Sequence, residues 1–152
     1  MTNQLSQLPV VVIGAGPVGL AAAAHLHERG LPLLVLEAGD GPGSHVLAWG
    51  HVRMFSPWRY NLDAAAVRLL EAAGWTAPDA DRLPTGAELV EEYLRPLAEK
   101  TPLAEAIRYR SRVVAVTRQG LDKTKTINRE TRPFLVRYVD ADGVEQETSA
   151  RA

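Results

Sequence analysis

The chain has 152 residues, a length that suits one domain, and 46% of them are hydrophobic, which is enough for a core. A net charge of −1 gives no reason to expect a polyanionic partner, and the absence of cysteine excludes disulfides, thiolate catalysis and thiolate metal sites. The lack of cysteine does not decide the compartment, so a cytoplasmic location is a default expectation.

The first elements in chain order form a βαβ unit. Val10–Ile13 is a continuous β-branched run, typical of a strand buried in a parallel sheet. A helix is predicted from Pro17 to Arg29, with Gly30 as its stop, and Leu33–Leu36 is a second buried strand. A strand, a helix and a strand within thirty residues begin a doubly wound sheet. The uncharged stretch 8–26 is not read as a membrane span, because three glycines and two prolines interrupt it.

A helical excursion is expected over about residues 38–104. Residues 38–57 are rich in glycine and read as irregular, and a helix is predicted over 63–73 with Asn61 or Asp63 as its cap. Thr85 and Glu88 form a capping box that opens another helix, which Pro96 should kink or end.

The last third of the chain predicts an antiparallel β-meander over about residues 112–150. A short third strand is predicted at 107–109, followed by strands at 112–117, 134–139 and 144–150. The connection 119–132 is long and polar. Residues 108–137 carry nine Lys or Arg and two Asp or Glu, but no aromatic residues interleave the basic connection, so nucleic acid is not expected as a partner.

A glycine motif follows the first strand. Gly14, Gly16 and Gly19 fit the pattern G-x-G-x-x-G, and Glu37 lies eighteen residues after Gly19 at the tip of the second strand. The first glycine permits a tight turn, the second lets a pyrophosphate approach the backbone at the helix N-terminus, and the third permits close helix–strand packing. Glu37 can accept hydrogen bonds from both ribose hydroxyls and would repel a 2′-phosphate, so NADP is not expected here. Glycines that serve packing alone are the disfavoured alternative.

The segments "VVIGAGPVGLAAAAHLHERG" and "LLVLEAG", with the long excursion and the meander, resemble the FAD-binding domain of two-dinucleotide-fold flavoproteins. This group includes flavin-containing monooxygenases, Baeyer–Villiger monooxygenases and pyridine-nucleotide–disulfide reductases. "GHVRMFSPWRYNLD" and "PTGAELVEEYLRPLA" resemble bacterial monooxygenase-like FAD-dependent oxidoreductases. The resemblance implies an α/β fold of Rossmann type, FAD as cofactor, and NAD(P)H as the reductant of the flavin in a second fold.

The motif and the resemblance together predict a set of cofactor-binding residues. They are Gly14, Gly16, Pro17, Val18, Gly19, Glu37, Ala38, Arg53, Ser56, Val113 and Val114. By the resemblance, Gly43, Ser44, Phe55 and Trp58 also lie near FAD, and the backbone of Val113 and Val114 meets the adenine. Arg53 either pairs with a phosphate or makes a surface ion pair. For Phe55 and Trp58, core packing is favoured over stacking on the flavin.

The chain departs from the resembled family in two respects. It lacks the redox cysteine pair of the disulfide reductases, so their chemistry is not expected. The final parallel strand of the FAD-binding domain and the second dinucleotide fold are not found, so residues 1–152 are interpreted as the N-terminal fragment of a longer protein. A missing strand leaves a sheet edge unpaired, which predicts a homodimer or a strand-exchanged dimer.

Three functions remain open: part of an NAD(P)H-dependent, monooxygenase-like flavoprotein, an NAD-linked dehydrogenase domain, or a non-catalytic dinucleotide-binding module. No side chain is identified as a catalytic acid, base or nucleophile, and the substrate is an unknown small molecule. No metal site is expected, because the histidines at 25, 27, 45 and 51 lack ligand spacing.

Overall fold

The computed structural model, which describes residues 4–152, contains a three-stranded parallel sheet with the order β1-β2-β3. Strand β1 is Val10–Ile13, β2 is Leu33–Leu36 and β3 is Ile107–Arg108. The register pairs Val10 with Leu33 and Val35 with Ile107. The predicted βαβ unit and short third strand are therefore confirmed, with β3 ending one residue earlier than expected.

The helices lie mainly between β1 and β3 in the sequence. They are α1 (Gln4–Gln7), α2 (Pro17–Glu28), α3 (Ser44–Leu47), α4 (Ala64–Ala72), α5 (Gly86–Leu89) and α6 (Arg95–Glu99). Three short 3₁₀ turns occupy Trp58–Tyr60, Pro102–Ala106 and Arg129–Thr131. Helix α1 and helix α3 were not predicted from the sequence.

The helical layer covers one face of the parallel sheet. Leu20, Ala23 and Ala24 of α2 are fully buried against Val35 and the excursion helices. The small alanine side chains let α2 lie close to the strands, so the first hydrophobic core is tightly packed next to the β1–α2 turn. Gly30 ends this helical segment in a left-handed conformation, with φ of +65°, as predicted.

Asp63 caps α4 and ties it to neighbouring elements. Its Oδ1 accepts hydrogen bonds from the N–H groups of Ala65 and Ala66, as the sequence predicted for a helix cap. Its Oδ2 lies 3.0 Å from Nε2 of His25 on α2. Its own N–H donates to the hydroxyl of Tyr93 at 3.1 Å. One residue therefore connects three parts of the helical layer.

The helix that begins at the predicted capping box continues through a π-helical turn, Val90–Leu94, into α6. Pro96 has no N–H to donate to the carbonyl of Glu92, four residues earlier. The indole Nε1 of Trp75 donates to that carbonyl instead, at 2.8 Å. The predicted disturbance at Pro96 therefore takes the form of a π-helical turn just before the proline. The carbonyl of Glu92, which lacks a donor in the helix, is hydrogen-bonded by the distant Trp75 side chain.

The meander covers the opposite face of the sheet. It consists of β4 (Arg112–Arg118), β5 (Phe134–Val139) and β6 (Glu145–Ala150), all antiparallel. Val136, Tyr138 and Ala150 form a second core with Leu36 of β2. The register between β4 and β5 shifts between Val113 and Ala115, which leaves Val114 as an extra residue in a bulge.

Strand β1 lies at one edge of the parallel sheet within residues 4–152. The N–H of Arg151 donates to the carbonyl of Pro9 at 2.8 Å, and the N–H of Val11 donates to the carbonyl of Ala152 at 2.9 Å. The final two residues thus lie beside the start of β1, while Ile13 at its other end is exposed.

Candidate dinucleotide-binding site

The turn between β1 and α2 begins at Gly14, whose backbone requires glycine, and ends at Gly16. Gly14 has a φ of +99°, which L side chains rarely adopt, and its N–H donates to the carbonyl of Leu36 at 2.8 Å. Gly16 is extended, with φ of −84° and ψ of −173°, and is the N-cap of α2. Pro17 occupies the first helical position, where a missing N–H costs nothing. The predicted tight turn out of the strand is present.

Gly19 permits the close approach of α2 to this turn. A Cβ atom on Gly19 would lie 2.0 Å from the carbonyl oxygen of Gly14 and 3.5 Å from Cγ1 of Val12. No side chain fits there without a backbone shift. This geometry agrees with the packing role predicted for the third glycine.

Gly16 differs from Gly19, because nothing lies within 4 Å of the Cβ that a side chain would add. Its φ and ψ values are open to any residue, so the fold itself does not require glycine here. Beside it, the N–H groups of Val18 and Gly19 have no acceptor within the helix, and Val18 is 83% exposed. The positive end of α2 therefore faces an open space without a side chain in front of it.

Glu37 follows β2 and lies directly beside the glycine turn. Its Oε2 accepts a hydrogen bond from the N–H of Ala15, and its Oε1 accepts one from the N–H of Gly39, both at 2.7 Å. The residue is only 5% exposed. These two N–H groups orient the carboxylate, and each oxygen keeps further acceptor capacity for a ligand. The sequence indicated Glu37 but not its partners, since backbone donors leave no pattern in the residue types.

The loop after Glu37 returns to the same turn. The N–H of Gly43 donates to the carbonyl of Ala15 at 2.9 Å, and Gly43 is left-handed, with φ of +66°. Its missing side chain leaves room for Val90, whose Cγ2 would lie 2.8 Å from a Cβ. Gly39 is equally constrained, because its Cβ would lie 1.9 Å from Oγ of Ser44. Residues 37–44 therefore form a tightly packed wall beside the site.

Tyr109 directly follows β3, beside Glu37, which directly follows β2. Continuing the register of Val35 with Ile107 places Glu37 and Tyr109 opposite each other on the helical face. Burial raises the pKa of the Tyr109 hydroxyl, with a smaller contribution from the negative charge of Glu99. Its buried hydroxyl has no hydrogen-bond partner among the described residues. Tyr109 thus carries a buried, neutral hydroxyl without a described partner on the same face of the sheet as Glu37.

The predicted residues of the excursion make their contacts elsewhere. Arg53 donates to the carbonyl of Leu83 at 2.6 Å and lies 4.0 Å from Glu88, which matches the alternative of a surface ion pair. The hydroxyl of Ser56 donates to Oδ1 of Asn61 at 3.0 Å. No recorded contact of Arg53 or Ser56 reaches the glycine turn among residues 4–152.

The two aromatic residues of this segment have opposite environments. Trp58 is fully buried in the helical core, which confirms the favoured packing role. Phe55 is 99% exposed, so the expectation that it packs in the core is wrong. The two are separated by only three positions in an irregular segment, where no periodicity indicates which side chain turns inward.

Comparison with known proteins decides the family. A model of a family described as "FAD dependent oxidoreductase" matches residues 9–150, nearly the whole chain. The chain belongs to the FAD dependent oxidoreductase family. This confirms the resemblance drawn from the glycine motif and supports FAD as the cofactor.

Curated relatives of this FAD dependent oxidoreductase match over short segments. Human lysine-specific histone demethylase 2 is 57% identical over 37 residues, which is 24% of this chain and 4% of that protein. Rice indole-3-pyruvate monooxygenase YUCCA1 is 53% identical over 45 residues, which is 30% of this chain and 10% of that protein. The chain therefore spans a small part of the curated relatives it matches.

Solved structures share the fold over most of the chain. The bacillithiol disulfide reductase Bdr (YpdA) from Bacillus cereus has a TM-score of 0.71 at 22% identity, covering 95% of this chain and 37% of that one. An oxidised steroid monooxygenase bound to NADP has a TM-score of 0.63 at 26% identity, covering 92% and 24%. Within residues 4–152, no helix is long and apolar enough to cross a membrane, and no cluster of potential metal ligands is found.

Proposed function

We propose that the glycine turn and Glu37 bind the adenosine diphosphate part of FAD in a flavoprotein oxidoreductase. The observation that carries this proposal is the open space at Gly16, next to a carboxylate that Ala15 and Gly39 already orient. The family match supports FAD over the alternative of an NAD-linked dehydrogenase.

The diphosphate would lie in front of Gly16, at the positive end of α2. The N–H groups of Val18 and Gly19 are available as donors, and Pro17 fixes the first turn of the helix without needing an acceptor. A helix N-terminus with a side-chain-free approach suits an anion, because the donors and the dipole act together. A Cβ at Gly16 would enter this space, and no protein atom lies within 4 Å of it.

The ribose would lie at Glu37, whose carboxylate oxygens accept hydrogen bonds from the sugar hydroxyls. The same negative charge would repel a 2′-phosphate, so this site is proposed for FAD and not for NADP. Ala38 adjoins this carboxylate in sequence. Its side chain is small enough to leave the ribose position open.

The adenine would meet backbone groups of Val113 and Val114. The bulge at Val114 supports this role for that residue, because the extra residue of a bulge is left unpaired in the strand ladder, whereas Val113 pairs with Tyr138. Arg53 and Ser56 remain proposals for the other half of the cofactor. Both would have to leave their present partners, Leu83 and Asn61, to reach it.

Bound FAD would supply electron and hydride transfer, and the residues of this chain would bind and orient it. We propose that NAD(P)H is the reductant, bound in a second dinucleotide fold outside these residues, and that the whole protein is monooxygenase-like. A steroid monooxygenase bound to NADP is among the similar structures, which supports a nicotinamide cofactor in the whole protein. In this view residues 1–152 are the FAD-binding part of a longer enzyme.

We also propose that, when residues 1–152 are studied on their own, the exposed end of β1 is covered in solution by a second copy of the chain. Ile13 is a large exposed apolar residue at this edge, and unpaired strand edges favour pairing with another chain. Light scattering at increasing concentration should show a dimer. A monomer over the whole concentration range would contradict this part of the proposal.

Calorimetric titration of the full chain with FAD, ADP and FMN tests the binding function. FAD and ADP should bind, and FMN, which lacks the adenosine monophosphate part, should not. Gly16→Val should weaken FAD and ADP binding by about tenfold or more with at most a small drop in the unfolding temperature, because its Cβ meets no protein atom within 4 Å and valine is only a poorer N-cap than glycine.

Ala77→Val, a smaller addition at an exposed position of the loop that follows α4, is the control and should bind like the original chain. FMN binding as tight as FAD binding, or an unchanged affinity in Gly16→Val, would overturn the proposal.

A further inference from the structure

Arg110 has a backbone conformation that its residue type does not favour. Its φ is +49°, and Asn128 is the only other non-glycine residue with a positive φ between residues 4 and 152. Asparagine tolerates the left-handed region because its short side chain can bond locally, whereas arginine has no such compensation. The local fold therefore does not explain why an arginine is found at this position.

The backbone of Arg110 is attached to the loop that carries Glu37. The N–H of Arg110 donates to the carbonyl of Gly39 at 2.9 Å, and the N–H of Ser111 donates to the carbonyl of Glu37 at 2.8 Å. These bonds hold the end of β3 alongside the end of β2, at the carboxyl edge of the parallel sheet. Ligands of open α/β sheets bind outside this edge.

The side chain of Arg110 reaches across the outside of this loop. Its Nε lies 3.9 Å from Oδ1 of Asp40, and the side chains of Arg110 and Asp40 are 66% and 94% exposed. An exposed pair at this distance contributes little to stability. The guanidinium therefore has a weak partner that a ligand can replace, and this partner lies three residues after Glu37 on the same loop.

We propose that Arg110 forms the outer wall of the adenosine subsite, where its guanidinium stacks on the purine of a nucleotide whose ribose is held by Glu37. This inference rests on the proposed function. A planar cation packs well on an aromatic base, and a lysine ammonium does not supply the same flat face. Asp40 holds the guanidinium when no nucleotide is bound and competes with the purine for it.

The test measures ADP affinity in the full chain. Arg110→Asn should weaken ADP binding about threefold to fivefold, in the range of an exposed cation–π contact, while the unfolding temperature stays the same or rises because asparagine fits the left-handed backbone. Arg110→Lys should weaken ADP binding to a similar extent. Asp40→Asn should strengthen ADP binding, since it removes the competitor.

Arg129→Asn is the matched control for loss of one exposed positive charge, far along the chain in the Arg129–Thr131 turn, and should bind ADP like the original chain. An unchanged ADP affinity in Arg110→Asn would overturn the inference, and full affinity in Arg110→Lys would overturn the stacking role. If the original chain fails to bind ADP, or Gly16→Val binds it equally well, the proposed function fails instead. The two failures are therefore distinguishable.

Discussion

Substituting alanine at Gly19 and at Gly16 separates the packing role of the glycine motif from its ligand role. The added Cβ at Gly19 would lie 2.0 Å from the carbonyl oxygen of Gly14, a backbone atom that cannot rotate away. Forced overpacking typically costs about 1–3 kcal/mol, and a backbone contact this short is expected at the upper end. Alanine regains about 1 kcal/mol of helix propensity. The net loss for Gly19→Ala is therefore about 2 kcal/mol.

The same substitution at Gly16 meets no atom within 4 Å, and the backbone there is already extended. Alanine is a poorer N-cap than glycine, so a loss below about 1 kcal/mol is expected. For a chain of this length, 1 kcal/mol shifts the unfolding temperature by roughly 2–4 °C. Gly19→Ala should thus lower it by about 4–8 °C, and Gly16→Ala by clearly less.

Thermal unfolding followed by circular dichroism, together with ADP titration of each variant, makes the comparison. Gly16→Ala should lose ADP affinity while remaining well folded, and Gly19→Ala should show its main effect in the unfolding temperature. Equal destabilisation by the two substitutions, or a Gly19→Ala chain as stable as the original, would refute the reasoning.

Three further predictions concern single contacts. Glu37→Gln places an amide NH₂ against a backbone donor, so it should cost about 1–3 kcal/mol by urea denaturation and relax the bias against 2′-phosphorylated adenosine nucleotides in a competition titration. A variant that still rejects them would contradict the repulsion argument. Trp75→Phe leaves the carbonyl of Glu92 without its donor and should lower stability by about 1 kcal/mol, whereas an unchanged urea midpoint would show that water replaces the indole. Burial raises the pKa of Asp63, but the backbone N–H groups that it caps and the contact with His25 hold its pKa below the ordinary value. Its stabilising contribution is therefore present above the unfolded pKa of about 3.9 and lost as the pH falls through the lower folded value, so the advantage of the original chain over Asp63→Asn should shrink between pH 5 and pH 3. If the difference in stability between the original chain and Asp63→Asn stayed constant from pH 5 to pH 3, the stabilising role of the ionised Asp63 carboxylate would be contradicted.

The βαβ unit could be predicted because each of its parts has a local physical signature. Val10–Ile13 is β-branched throughout. Gly14 and Gly19 occupy positions where the structure requires glycine, the first for the turn and the second for close helix packing. Thr85 and Glu88 indicated a helix start for the same reason, since a capping box is satisfied within four residues.

What the sequence did not reveal depends on contacts between distant segments. Pro96 indicated a disturbed helix, but only the tertiary structure shows the π-helical turn before it and the hydrogen bond from Trp75 to the carbonyl of Glu92. Phe55 was expected inside because aromatic residues usually are, yet its irregular segment has no period that directs it inward. The left-handed backbone of Arg110 is likewise set by a hydrogen bond to Gly39, about seventy residues away in the sequence.

A structure of the chain with ADP tests the central claim most directly. The account predicts the diphosphate in front of Gly16, within about 3 Å of the N–H groups of Val18 or Gly19, and a ribose hydroxyl within about 3 Å of the Glu37 carboxylate. ADP bound at any other surface, with Glu37 free of the ribose, would contradict it.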